Sequence, residues 1–268
     1  ISNEIPFMPN CKPPTPGQIG LQFCSDPKYI ELLEFVGTDV VELTGNHFQD
    51  YGAEATLFTL DLYDEIGLPY YGGGRDLADA SKAITLEHNG NKFAFIGCNP
   101  VGPEFAWARE DGWPGAAPCN HKFMVAEIEK LRADGYLTIA TMQYHEYYSP
   151  EIRPWQERDF RRLADAGAVI VSGSQAHFAQ AKEFYNGAFI DYGLGNLFFD
   201  QMDNPVVGTR REFIDRHVFY DGRYLGTELL TAMLVDYSRP IIMTEAERAD
   251  FLSYIFEASG WGGYPPTP

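Results

Sequence analysis

Residues 39–52 read Asp-Val-Val-Glu-Leu-Thr-Gly-Asn-His-Phe-Gln-Asp-Tyr-Gly and carry the strongest fold signal in the chain. The apolar, β-branched first half predicts a strand over residues 39–44. This strand runs directly into Gly45-Asn46-His47, where glycine permits a sharp turn of the backbone. A helix is predicted over residues 53–66, with leucines at helical spacing and Gly67 as its end. Strand, polar turn and helix in this order are typical of an α/β sheet.

The same alternation continues along most of the chain. Further strands are predicted at 92–98, 136–142, 168–172 and 188–192. Further helices are predicted at 27–36, 123–133, 156–166 and 244–258, the last opening with a capping box from Thr244 to Glu247. The pattern predicts an α/β fold with helices packed on the faces of a sheet. In such folds the chemistry gathers in the loops at the carboxyl ends of strands.

The composition excludes several classes of function. The chain has 268 residues, a net charge of -18 and a hydrophobic fraction of 45%, enough for a large core. Its negative field disfavours nucleic acid and membrane surfaces as partners. No apolar run approaches the ~20 residues that a transmembrane helix needs. Because the sequence begins at Ile1 and shows no signal segment, we expect it to be a processed or excised piece of a longer chain.

The four cysteines leave two alternatives open. Cys11–Cys24 and Cys98–Cys119 could form two disulfides that each close a short loop, or all four could be buried thiols. None of them forms a Cys-x-x-Cys pair, which argues against a zinc ribbon. Low lysine usage, many aromatic residues and the acidic composition favour a protein that works outside the cytoplasm.

Four predicted loops at strand ends contain side chains that can do chemistry. They span residues 45–52, 143–154, 173–180 and 193–201, and each combines imidazole, amide or carboxylate groups. Neutral nitrogen and oxygen donors of this kind suit Mn, Fe or Zn. One Asn-His pair after a strand is more often a turn with a capped histidine. Four such loops in the order expected for one sheet indicate a site.

The combined order of motifs resembles one known family. It consists of Gly-Asn-His-x-x-Asp-x-Gly at 45–52, Gly-Gly-Gly-Arg at 72–75, Lys-Phe-Ala-Phe-Ile-Gly-Cys-Asn at 92–99, the strand ending Ser-Gln-Ala-His at 167–177, Glu-x-Tyr-x-Gly at 183–187, and Tyr-Gly-Leu-Gly-Asn-Leu-Phe-Phe-Asp at 192–200. This order resembles the bacterial capsule-synthesis family (CapA-type, poly-γ-glutamate), which is related to calcineurin-like metallophosphatases. The resemblance covers roughly residues 1–201.

The resemblance implies a fold and a domain organisation. It implies an α/β layered sandwich of mixed sheets with flanking helices, metallophosphatase-like, with a two-metal centre at the strand ends. We expect a single domain over residues 1–260 whose N-terminal strand would lie before Ile1. Residues 261–268 form a Gly/Pro-rich tail or linker.

The resemblance also implies a set of metal ligands, which is incomplete here. Matching residues in the family motifs are Glu4, Asn46, His47 and His177. Ser174 and Gln175 stand where the family carries earlier histidines, and Met142 stands where a ligand histidine would lie. A two-metal hydrolase needs a bridging ligand and about four ligands per ion. The remaining set is enough for one Mn, Fe or Zn ion at most, or for none.

Further residues receive roles in this interpretation. Glu146 would act as a base or orient a ligand, and His145 could substitute for a missing histidine although it is out of register. Arg75 and Asn196 would contact an anionic substrate, although a simple turn is the alternative for the glycines before Arg75.

Two functions of different classes follow. The first is an exported capsule- or envelope-polymer protein, a metal-dependent hydrolase if it is active. The alternative is a catalytically silent extracellular surface or assembly module. Both place the chain outside a bacterial cell or at its surface, with an anionic envelope polymer or another surface protein as partner. The sequence is also compatible with a homo-oligomer.

Overall fold

The computed structural model describes residues 1–13, 20–199, 201–203 and 206–262. The predicted tail therefore lies outside the described residues from 263 onward, as does Asp200 of the fourth loop. The helices are α1 (Ile30–Phe35), α2 (Gly52–Ile66), α3 (Leu77–Ser81), α4 (His121–Ala133), α5 (Pro154–Ala166) and α6 (Glu245–Ala258). The strands are β1 (Val41–Glu42), β2 (Tyr70–Tyr71), β3 (Gly73–Gly74), β4 (Ile84–His88), β5 (Asn91–Cys98), β6 (Gly115–Ala116), β7 (Leu137–Gln143), β8 (Ala168–Ser174), β9 (Lys182–Tyr185), β10 (Ala188–Asp191), β11 (Arg211–Tyr220), β12 (Arg223–Val235) and β13 (Arg239–Ile242).

The largest sheet has six strands in the order β4-β5-β7-β8-β10-β9. β10 runs parallel to β8 and antiparallel to β9, so the sheet is mixed. A second sheet, β11-β12-β13, is antiparallel throughout, and β1-β2 and β3-β6 form two short pairs. The predicted α/β class, with mixed sheets and flanking helices, is confirmed. Among the described residues, no helix combines the length and the apolar character that crossing a bilayer requires.

The first of two compact units comprises Ile1–Thr85, Phe95–His121 and Thr141–Gln143. Its core joins side chains from β1, α1, α2 and the segments around them: Phe7, Leu33, Val41, Leu43, Phe48, Leu60, Tyr63 and Tyr70. Both disulfides, Cys11–Cys24 and Cys98–Cys119, lie in this unit. Of the two alternatives for the cysteines, the structure therefore contains the disulfides.

The second unit comprises Leu86–Ala94, Lys122–Ala140 and the chain from Tyr144 onward. In it α5 packs against β8 and β10. A separate core forms where α6 covers the start of β11, with the members Ala179, Phe213, Met243, Phe251, Leu252 and Ile255. The single domain over residues 1–260 stays a prediction.

The predicted elements agree with the observed ones at most positions. The helix predicted at 53–66 is α2, and Gly67 ends it in the left-handed conformation at a φ of 71°. The strand predicted at 39–44 is shorter, because only Val41–Glu42 pairs with β2. β9 and the long β11–β12 hairpin were not predicted.

Candidate functional site

The turn after β1 is built against the start of the chain. The Asn3 backbone N–H donates to the Glu42 carbonyl at 3.0 Å, and the Glu42 N–H donates to the Ile1 carbonyl at 2.8 Å. These bonds bring Glu4 beside Gly45, where a Cβ atom would lie 2.7 Å from the Glu4 Cα. A side chain at position 45 would push Glu4 away from the Asn-His turn. The glycine of this motif is therefore needed for the close approach of two chain segments.

The end of β7 joins this turn through one amide. Gln143 Nε2 donates to Glu4 Oε1 and to Asn46 Oδ1, both at 2.9 Å. Glu4, Asn46 and Gln143 are called the Gln143 cluster below. The structure thus brings together two of the predicted metal ligands, through a residue that the sequence analysis did not select. Met142 is fully buried in the core. It points away from the Gln143 cluster, because successive side chains of a strand point to opposite faces.

His47 is held by an acidic partner from its own loop. Its Nδ1 lies 2.7 Å from Asp50 Oδ2, which also accepts the Phe23 backbone N–H at 2.7 Å. Since the carboxylate accepts, we assign a proton to Nδ1. The Phe23 ring packs edge-on against the imidazole with centroids 4.8 Å apart. His47 is therefore fixed in orientation, as a ligand or an acid–base group requires.

In the second unit, two parallel strands place their following loops at the same edge. His177 follows β8 and Asn196 follows β10, and His177 Nδ1 lies 2.8 Å from Asn196 Oδ1. Asn196 Nδ2 donates to the Thr209 carbonyl at 3.0 Å. A carbonyl only accepts, so the orientation of the amide is fixed and its oxygen must accept from His177. His177 Nδ1 accordingly carries a proton and donates it to Asn196 Oδ1.

Five side chains contact one another in a ring that begins and ends at His177. This His177 network consists of His177, Asn196, Gln201, Tyr148 and Glu146. Asn196 Nδ2 donates to Gln201 Oε1 at 3.1 Å, and Gln201 Nε2 donates to the Tyr148 hydroxyl at 3.1 Å. Tyr148 donates to Glu146 Oε1, which lies 3.9 Å from His177 Nε2. Burial and the hydrogen bond to Glu146 raise the pKa of Tyr148. The predicted residues His177, Asn196 and Glu146 are thus brought together.

Aromatic rings enclose the imidazole of this network. His177 stacks on Tyr148 at a centroid distance of 5.5 Å and on Phe199 at 5.1 Å. The sequence analysis assigned a role to neither Tyr148 nor Gln201. His145 is exposed and packs against Tyr144 and Tyr147, and none of its ring contacts is with the His177 network.

Arg75 is already paired with carboxylates. Its Nη2 lies 2.7 Å from Asp61 Oδ1 and 2.6 Å from Asp64 Oδ2, and its backbone N–H donates to Asp79 Oδ2 at 2.9 Å. The hydrogen bond to Asp64 raises the pKa of the guanidinium. A substrate anion would have to compete with these partners, and the role of Arg75 in substrate binding stays a prediction.

The donor set does not fit a two-metal centre. Within the described ranges, no group of three or more His, Cys, Asp and Glu side chains is placed to hold an ion. In the Gln143 cluster, the two oxygen donors face the N–H groups of an amide. A bridging carboxylate with about four ligands per ion is therefore not formed by this part of the chain.

The fold and these loops define an α/β protein that gathers imidazole, amide and carboxylate groups after its strands. Residues 3–201 match the family model of the bacterial capsule synthesis protein PGA_cap, and the chain belongs to this family. It is 29% identical over 176 residues to the capsule biosynthesis protein CapA of Bacillus anthracis, covering 64% of this chain and 43% of that protein. It is 28% identical over 202 residues to the PGA biosynthesis protein CapA of Bacillus subtilis (strain 168), covering 75% and 52%. The chain thus spans about half the length of these curated relatives.

One of the similar solved structures is a Haemophilus influenzae NAD nucleotidase. It shares 12% sequence identity at a TM-score of 0.47, over 83% of this chain and 46% of the nucleotidase. The family assignment rests on the sequence match and not on this likeness.

Proposed function

We propose that this chain serves the synthesis or surface assembly of a glutamate-type anionic polymer as a binding and assembly module that lacks a two-metal hydrolytic centre. Membership of the capsule-synthesis family supports the first part of this proposal. The observation that carries the second part is the Gln143 amide, which donates to both Glu4 and Asn46 at 2.9 Å.

Gln143 stabilises the two oxygen donors without a cation. A carboxylate and an amide oxygen that face each other need either a positive ion or hydrogen-bond donors between them. The neutral amide of Gln143 supplies two N–H groups from one nitrogen, one to Glu4 Oε1 and one to Asn46 Oδ1. An ion entering this position would have to displace those hydrogen bonds, whereas a histidine at position 143 would offer it a nitrogen ligand.

The charge and the disulfides support a protein partner outside the cytoplasm. At a net charge of -18 the chain repels a free polyanion at long range, so a protein of the polymer-making assembly is the favoured partner. Disulfides persist in oxidising compartments, and the chain has two of them. We therefore propose the outer face of a bacterial cell as its location.

The test is a calorimetric titration of Mn²⁺ into the metal-stripped 268-residue chain. The wild-type chain and Asn46→Ala should give the same absence of stoichiometric binding, while Gln143→His should gain affinity for the ion. Stoichiometric binding by the wild-type chain that Asn46→Ala abolishes would overturn the proposal. Circular dichroism of each variant verifies that it is folded.

A second candidate function, hydrolysis or transfer with one bound ion, is favoured by the His177 network. Asn196 Oδ1 accepts from His177 Nδ1 at 2.8 Å, and His177 Nε2 lies 3.9 Å from Glu146 Oε1. These two donors would hold the ion, and Asn196 would fix the imidazole. Such an ion, when bound, lowers the pKa of a coordinated water.

The same titration separates the two candidates. Binding that survives Asn46→Ala but is lost in His177→Ala would favour the second candidate. In that case Asn196→Ala should weaken the ion affinity by about 10–100-fold through the loss of imidazole orientation, with Asn186→Ala as an exposed control. Unchanged affinity in Asn196→Ala would contradict a ligand role for His177.

A further inference from the structure

Three charged side chains are buried together in the second unit. Lys182 of β9 forms an ion pair with Asp191 of β10, and its Nζ lies 3.9 Å from Asp215 Oδ1 of β11. The exposed fractions of the three side chains are 0%, 1% and 6%. Fully buried lysine is rare, and two carboxylates with one amine leave an excess negative charge in the interior. No role in the site described above accounts for this arrangement.

The backbone holds the amine and the carboxyl group against each other. Lys182 and Asp191 are directly opposite in the antiparallel β9–β10 pair, which places their Cβ atoms about 5 Å apart. The Gly193 backbone N–H donates to Asp191 Oδ1 at 3.0 Å, while Oδ2 faces the amine. The Phe213 ring lies 4.1 Å from Lys182 Nζ and closes the apolar side.

The surroundings of Asp191 favour its uncharged form. Burial raises the pKa of Asp191, and the nearby charge of Asp215 raises it further, while Lys182 acts in the opposite direction. Transfer of one proton from Lys182 Nζ to Asp191 would convert the two buried ions into a neutral amine and a neutral carboxylic acid. Asp215 Oδ1 is buried and has no hydrogen-bond partner among the described residues.

We propose that Lys182 and Asp191 form an intramolecular amide bond, with Asp215 as the proton carrier. The lone pair of the neutral Lys182 Nζ attacks Asp191 Cγ, and the electron pair of the carbonyl moves to Oδ1, where the Gly193 N–H stabilises it. Asp215 takes a second proton from Nζ and delivers it to Oδ2, which already carries the proton transferred from Lys182, and the electron pair on Oδ1 re-forms the carbonyl. The Cγ–Oδ2 bond breaks and one water leaves, so the reaction needs no oxidant, reductant or further reactant.

The product replaces two buried charges by one amide. The desolvation cost of an ion pair disappears, and β9 and β10 become covalently joined next to the core that α6 covers. Asp215 comes from a third strand, β11, and lies 3.9 Å from Lys182 Nζ. It is regenerated at the end of the reaction.

The first test is the intact mass of the wild-type chain under denaturing conditions. We expect it to be lower than the sequence mass, corrected for two disulfides, by the mass of one water. Asp215→Asn keeps the shape of the side chain and removes the proton carrier, so it should show the full mass. Asp221→Asn, an exposed aspartate in the β11–β12 turn, is the matched control and should lose water like the wild-type chain.

A digest of the denatured wild-type chain makes the test independent of how the variants fold. Glu183 lies between Lys182 and Asp191, so cleavage after it by a glutamate-specific protease opens the ring that the bond would close. The piece with Lys182 and the piece with Asp191 should then remain joined as one branched peptide. Separate pieces would overturn the proposal, whether or not the intact mass shows a loss of water.

Discussion

Glu212 of β11 is a buried acid without a paired charge among the described residues. It is 1% exposed, and neither carboxylate oxygen has a hydrogen-bond partner among the described residues. Burial raises its pKa from 4.5 to about 8. At neutral pH the folded state therefore keeps a proton on Glu212 that the unfolded state releases.

This difference predicts how stability depends on pH. Between the unfolded and folded pKa values the folded state binds more protons, so the contribution of Glu212 falls as pH rises from about 4.5 to about 8. Glu212→Gln removes the titration and should gain stability relative to the wild-type chain over this range, measured by urea unfolding at several pH values. Glu87→Gln, an exposed substitution, should follow the wild-type slope. Equal slopes for Glu212→Gln and the wild-type chain would contradict the prediction.

The Gln143 cluster shows how far sequence reasoning reaches at single residues. Glu4 and Asn46 were identified through their motifs, and the structure places both against Gln143. The contact of Gln143 with these two residues could not be predicted, because β7 is covered on both faces and most of its side chains are buried. Without alternation of polar and apolar residues, the sequence does not reveal which face of a strand meets the loops.

The start of α6 depends on one reciprocal pair of hydrogen bonds. Thr244 Oγ1 accepts the Glu247 backbone N–H at 3.3 Å, and Glu247 Oε2 accepts the Thr244 N–H at 2.9 Å. Thr244→Ala should lower the free energy of unfolding by about 1 kcal/mol, since it leaves helix donors without partners. Urea unfolding measures this change, and Thr244→Ser, which keeps the hydroxyl, should lose much less. A loss of equal size in both variants would show that the methyl group matters and the cap does not.

At the scale of elements, the helices were more predictable than the antiparallel strands. Three helices have start or stop signals in the sequence. Gly67 ends α2, Gly167 ends α5, and the Thr244 capping box begins α6. The β11–β12 hairpin carries a turn signal in Asp221-Gly222, both at positive φ, but its strands are hard to read because apolar side chains lie on both of their faces. Phe213 is buried, while its neighbour Ile214 and later Val218 are exposed.

The second unit extends beyond the part of the chain that matches the family. The match ends at residue 201, yet Ala179 packs in a core whose other members come from β11, α6 and the segment before α6. A boundary of sequence similarity is therefore not a boundary of folding in this chain.

A chain truncated after Gln201 should consequently lose its fixed packing in the second unit. We expect weaker near-ultraviolet circular dichroism and stronger binding of a hydrophobic dye than in the full chain, because the core around Ala179 loses its cover. A truncated chain with native-like packing would show that β11–β13 and α6 are dispensable.

In the full chain, Phe251→Ala should lower the free energy of unfolding by about 3–5 kcal/mol, because it removes a buried ring from the same core. Tyr254→Ala, at a half-exposed position, should lower it less.

The amide at position 143 also has a meaning at the level of the gene. Glutamine and histidine codons share their first two bases, so one third-base change at codon 143 exchanges the amide for an imidazole. One base change therefore separates a hydrogen-bonded amide at position 143 from a nitrogen ligand for an ion. Glu4 and Asn46 are in place beside this position in either case. Descendants of this gene can cross between those two states in a single step and in both directions.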